Sequence, residues 1–126
     1  MKRFGGRTVA EAIRRVRKSG SVRGIGIVVG SLVDPATLGN SHVRIHALEG
    51  QLFRGVVVNA AHRARLPSTV WRERDMMTGA SRTLRLTERT IQERLKTLGR
   101  TTDGPWRAEQ KLAALAAWQV LAGTGL

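Results

Sequence analysis

The chain has no cysteine, which excludes disulfides and thiolate metal sites. Aromatic residues make up only 4% of it, so aliphatic side chains and alanine must do most of the packing. No apolar run approaches the length of a membrane span. The opening Met1-Lys2-Arg3-Phe4-Gly5-Gly6 is basic but leads into no apolar stretch of signal type. These absences predict a cytoplasmic protein with no membrane partner. Acidic residues are also scarce: 9 Asp and Glu stand against 22 Lys and Arg, for a net charge of +13. Of the basic residues, 18 are arginine, whose planar fork meets phosphate bidentately. A small domain this basic usually faces a polyanion, and nucleic acid is the expected partner. One alternative is arginine spread over ordinary solvated surface. Another is an anionic membrane, although no helix here pairs a basic face with a broad apolar one.

With 126 residues, 41% of them hydrophobic, the chain is expected to form one basic α/β domain over residues 1–126 with a modest core. Its centre is the stretch from Arg23 to Asp75. Gly24-Ile25-Gly26-Ile27-Val28-Val29-Gly30 is apolar and β-branched, without alternation, as suits a strand covered on both faces. From His42 to Leu66, apolar residues recur at helical spacing through Leu48, Leu52, Val56 and Ala60. Leu66-Pro67-Ser68 breaks that pattern, and Thr69 to Asp75 reads as a second strand. Strand, crossover helix and strand make a βαβ unit of a parallel sheet, whose chemistry lies beyond the carboxyl ends of the strands. Val56-Val57-Val58, Gly50 and Gly55 leave an alternative, a hairpin over residues 43–59 turning at Glu49-Gly50.

Around this unit the sequence predicts further helices. Thr8-Val9-Ala10-Glu11 has the pattern of a capping box, followed by an apolar stripe of Val9, Ile13 and Val16. The other face carries Arg14, Arg15, Arg17 and Lys18. Between Lys2 and Arg23 there are eight basic residues, Arg7 among them, and one acid, Glu11. This is either a phosphate-binding face or a solvated one. Met76 to Ser81 reads as a turn, and the next helix has Ile91, Leu95 and Leu98 on its apolar side. Arg82, Arg85, Arg89 and Arg94 crowd its polar side, and Gly99 ends it. Pro105 suits the first position of a closing alanine-rich helix, Trp106 to Ala122, with Leu112, Leu115 and Trp118 inside. Gly24, Gly26 and Gly30 do not form a glycine-rich loop into a helix, which rules out a dinucleotide fingerprint. His42, His46 and Glu49, at i, i+4 and i+7, could hold a metal, or could simply form an exposed polar face.

Three short motifs in this order resemble the RNase H-like fold, in particular the YqgF (RuvX) branch of Holliday-junction-resolvase-like nucleases. They are Val28-Val29-Gly30-Ser31-Leu32 before the long helix, Arg72-Glu73-Arg74-Asp75 closing the second strand, and Glu109-Gln110-Lys111-Leu112-Ala113-Ala114 in the last helix. The resemblance covers roughly residues 8 to 122. It implies an RNase H-like core reduced to βαβ with flanking helices and an incomplete sheet. That fold normally opens with a three-stranded meander bearing an Asp, which has no counterpart here. The family's acid in the last helix would fall on Gln110, one residue from Glu109. What the resemblance implies for chemistry is a nuclease of branched DNA or structured RNA, using Mg²⁺ or Mn²⁺. Glu73, Asp75 and Glu109 would be both its metal ligands and its catalytic residues.

Two function classes follow. One is such a metal-dependent nuclease, weakly active or inactive as this chain because its carboxylate set is incomplete. The other is a non-catalytic nucleic-acid-binding or ribonucleoprotein component, with a protein–protein module as a further alternative. In the nucleic-acid readings, Arg7, Arg14, Arg15, Arg17, Lys18, Arg23, Arg72, Arg74, Arg82 and Arg85 would hold phosphates. An apolar strand with one visible neighbour further predicts a homodimer or a partner chain that completes the sheet.

Overall fold

A computed structural model describes residues 2–30 and 39–124. The chain is mixed α/β and mostly helical. Its elements are helix α1 (Lys2–Ser19), strand β1 (Ile25–Val29), helix α2 (Ser41–Arg63), strand β2 (Ser68–Arg72), a 3₁₀ turn (Glu73–Asp75), and helices α3 (Met76–Leu84), α4 (Glu88–Gly99) and α5 (Ala108–Thr124). The two strands pair in parallel, with Ile25 opposite Ser68 and Val29 opposite Arg72. They make a two-stranded sheet.

The sheet is covered on both faces, and β1 alternates between them. Gly26 faces α5. A Cβ at this position would lie 2.9 Å from the Trp71 ring and 3.0 Å from the Cβ of Ala116, so only glycine admits both neighbours. On this side Met76, Ala80, Ile91, Leu95, Leu115 and Ala116 form a buried cluster, with Val28 and Trp71 packed against it. By alternation the buried Ile27 faces the opposite side, where α2 packs on β1 and α1 packs on α2. That layer supplies Ile13, Val56, Val57, Ala60 and Ala61 as buried residues.

The long central segment is a helix, so the hairpin alternative for residues 43–59 falls. Its apolar residues repeat with a period that one continuous helix satisfies, at the cost of keeping Gly50 and Gly55 inside it. A helix of 23 residues spans about 34 Å, whereas a five-residue strand spans about 16 Å. The sheet therefore covers only the second half of α2. In the first half Ile45, Leu48, Leu52 and Phe53 are 46–64% exposed.

Several boundaries differ from the sequence pattern. α1 begins at Lys2, well before Thr8, so Thr8 and Glu11 lie inside the helix and form no capping box. Val16, at the far end of the predicted stripe, is exposed, as is Leu98 in α4. β2 stops at Arg72, where a 3₁₀ turn follows with the Met76 N–H donating to the Glu73 carbonyl; the Arg72 Nε–H donates to Asp75 Oδ2 across it at 2.8 Å. Met76–Ser81 is the body of α3 rather than a turn. The helix expected to follow is broken at Arg85, where Thr87 starts α4 by accepting a hydrogen bond from the Thr90 N–H. α5 starts at Ala108 and leaves Pro105 in the loop. The Trp106 indole donates instead to the Leu95 carbonyl at 3.0 Å and covers Gly99. Leu115 is buried, while Leu112 and Trp118 are half-buried.

Two glycine replacements should act in opposite directions. Gly26→Val forces a branched side chain between Trp71 and Ala116, and should lose about 1–3 kcal/mol in urea unfolding, the usual cost of overpacking. Gly55→Ala meets no atom within 4 Å and should gain about 0.5–1 kcal/mol from helix propensity. Equal midpoints for the two variants would contradict this packing.

Candidate nucleic-acid interface

The topology sorts the candidate residues to two ends of the sheet. At the end where the strands begin, α1 and α2 both terminate. There the Arg17 Nη2–H donates to the Ala64 carbonyl at 2.9 Å, placing a cation at the α2 C-terminus. The Ile25 N–H donates to the Pro67 carbonyl at 2.9 Å, which fixes both strand starts together. α5 also ends here, since a Cβ on Gly24 would touch both Val120 and Pro67. α3 runs down to the same end, because Thr83 lines one cleft with Pro67 and Gly123.

Basic side chains gather at this end from every layer. α1 brings Arg14, Arg15, Arg17 and Lys18, and Arg23 lies in the link to β1. Arg63 and Arg65 come from the end of α2, and Arg82 and Arg85 from the end of α3. All nine are exposed. Arg17 is tied to Ala64, while Arg14, Arg15 and Lys18 form no ion pair among the described residues. The side chain of Arg7 lies outside the described residues. Arg63 and Arg65 carry no motif. Their only signal in the sequence is topological: the end of a crossover helix must return to the level where the strands begin.

Two of these arginines have an unusual backbone. Arg65 (φ 59°) and Arg85 (φ 56°) are the only non-glycine residues with positive φ among those described. Arg65 closes α2 in a Schellman arrangement: its N–H donates to His62 O, and the Leu66 N–H donates to Ala61 O. Arg85 closes α3 with its N–H donating to Ser81 O, and the Ser81 hydroxyl donates to Leu86 O at 2.6 Å. Glycine is the usual residue at such a position, because a Cβ there costs on the order of 1 kcal/mol.

The candidate carboxylates sit at the other end, beyond the last strand residues. Glu73 and Asp75 lie in the 3₁₀ turn rather than in a strand, so the alternation that would have put them on one face does not apply. Asp75 is bound to Arg72, with side chains about half exposed (44% and 50%). This pairs one expected metal ligand with one expected phosphate ligand. Glu109 stands seven residues before Ala116, two helical turns above the contact with Gly26. That places it at about the level of Val29 and on the sheet-facing side of α5. Gln110 is turned back along its own helix, where its Oε1 accepts from the Arg107 N–H at 2.9 Å. Among the described residues no three Asp, Glu or His side chains converge to hold a metal ion. Of the three candidate carboxylates, Asp75 is the one engaged by a cation, Arg72. The side chains of His42 and His46 lie outside the described residues.

Arg72 and Arg74 belong to this carboxylate end, separated from the α1 arginines by the length of the sheet. The larger basic group and the carboxylates thus lie at opposite ends of the sheet. No helix among the described residues is long and apolar enough to cross a membrane. No protein-family model matches the chain, and no curated protein or solved structure is significantly similar to it.

Proposed function

We propose that this protein binds nucleic acid through the end of the sheet where its strands begin, and that the isolated chain does so without cleaving its ligand. The observation that carries the reading is the pair of left-handed arginines. Arg65 and Arg85 hold positions that glycine would occupy without strain, and both lie in the exposed basic group. Strained backbone kept at one locus is a mark of a functional surface. Nine basic side chains without a matching set of acids form a polyanion-binding pole, and arginine suits phosphate. The RNase H-like kinship remains part of the proposal. It is supported by a parallel strand pair with a crossover helix, and by Glu73, Asp75 and Glu109 at the carboxyl end of that pair. On this reading the chain is a non-catalytic relative of metal-dependent nucleases.

The binding experiment has a sign that a solvated surface would not give. Affinity for DNA or RNA should fall by about three orders of magnitude between 50 and 200 mM salt if six or more phosphates are contacted. Arg65→Gly and Arg85→Gly should each stabilise the fold, by about 1 kcal/mol in urea unfolding, while weakening binding. Variants that gain stability and bind unchanged would remove the reason for placing the ligand here.

Cleavage of branched or duplex substrates should be absent with either Mg²⁺ or Mn²⁺. Metal-dependent turnover abolished by Glu73→Gln would show instead that the carboxylate end is a working nuclease centre.

The assembly proposal is a homodimer or a partner chain that completes the sheet. Both strands of a two-stranded sheet are edge strands, and edges of this kind invite pairing. The exposed stripe of Ile45, Leu48, Leu52 and Phe53 adds an apolar surface of the kind that association covers. Sedimentation of the purified chain at micromolar concentration should give a dimer or larger species, and a stable monomer would count against self-association.

A further inference from the structure

Between β2, the end of α3 and the end of α5 lies a cleft of about 300 Å³, at the small end of the range for ligand cavities. We propose that this cleft takes one unpaired base of a single-stranded nucleic acid, stacked on Trp71, while the neighbouring phosphates lie on Arg65 and Arg85. The inference rests on the reading of the basic end as a nucleic-acid surface, and adds the form of the ligand.

The walls fit that occupant. Trp71 is half-buried. One edge of its ring lies over Gly26, and the residue also lines the cleft. An indole held by packing on one side and open on the other is a stacking platform, and stacking tolerates any base because every base has a π-face. Thr69 and Thr83 are exposed on the walls and offer hydroxyls to base edges. Pro67 and Val120 supply apolar contact. The rim carries the charge. Arg65 stands two residues before Pro67 and Arg85 two residues after Thr83, so each left-handed helix end holds an exposed arginine two residues along the chain from a cleft-lining residue. A duplex keeps its bases paired and stacked inside, and so could not fill the cleft. An unpaired strand presents a base and two flanking phosphates together, the combination that an aromatic wall with arginines on the neighbouring helix ends recognises.

The test compares oligo(dT) and oligo(U) of about ten nucleotides with a duplex of the same length, at one salt concentration, by fluorescence anisotropy. Charge density alone favours the duplex, so tighter binding of a single strand is the expected and discriminating result. The two single strands show whether DNA or RNA is preferred. Binding should quench tryptophan emission, and Trp71→Phe should remove the quenching while keeping an aromatic wall. Because Trp71 also packs against the core, a second variant blocks the cleft from its exposed side. Gly123→Leu adds a side chain at a helical position with no atom within 4 Å of its Cβ, which favours folding. It should weaken single-strand binding about tenfold, the loss expected for one stacked base, and leave duplex binding unchanged. If the duplex binds at least as tightly, with no quenching and no effect of Gly123→Leu, the base cleft is refuted and the basic end still stands as a backbone-binding surface. If neither form binds in a salt-dependent way, both readings fall.

Discussion

The contact of Gly26 with Ala116 and the Trp71 ring is the constraint on which the rest depends. It brings α5 close to β1, so that a strand with only one hydrogen-bonded neighbour is still covered on this face. It also sets the level of α5 along the sheet. Glu109 consequently rises to the carboxyl ends of the strands, while Val120 descends to their beginnings. Any side chain at Gly26, or one larger than methyl at Ala116, would press the helix away. The buried cluster of Met76, Ile91 and Leu115 would then lose the wall that Val28 and Trp71 provide.

The opposite face has no comparable economy. α2 is twice the length of the strand it covers, and its apolar residues are not confined to the covered half. The second half buries Val56, Val57, Ala60 and Ala61. The first half carries equally apolar residues past the end of the sheet. A larger sheet, or a second body lying against the overhang, would give Ile45, Leu48, Leu52 and Phe53 the same environment as their successors. Among the described residues the strands are too short to reach them.

The central βαβ unit was legible because three signals agreed: an unalternating β-branched run, a sustained helical period, and a Pro67 break before the second strand. The left-handed caps of α2 and α3 were not legible. Arg65 and Arg85 occupy positions that sequence reading looks for in glycine, so nothing at either site marks a cap. As a result α3 and α4 read as a turn and one helix. The start of α1 was also not legible, since the helix takes in Gly5-Gly6 despite the low helix propensity of glycine. The candidate carboxylates were placed at the correct end of the sheet. Their geometry was not legible, because the chain leaves the strand after Arg72 and carries Glu73 and Asp75 in a 3₁₀ turn. The basic group was half legible. The run in α1 was plain, but its companions come from residues 63–65 and 82–85, and only the fold shows that these segments end together.

The separation of charge along the strand axis gives the molecule a direction. The end where the strands begin carries arginines from four segments, and the other carries Glu73, Asp75 and Glu109 balanced by Arg72 and Arg74. A body with such a dipole does not approach a polyanion at random. The field turns it during diffusion, so the encounters that reach contact are already aligned. For a small domain this shortens the orientational search that otherwise holds association far below the diffusion limit. On the proposed nucleic-acid reading, the end that carries Glu73, Asp75 and Glu109 then points away from the ligand.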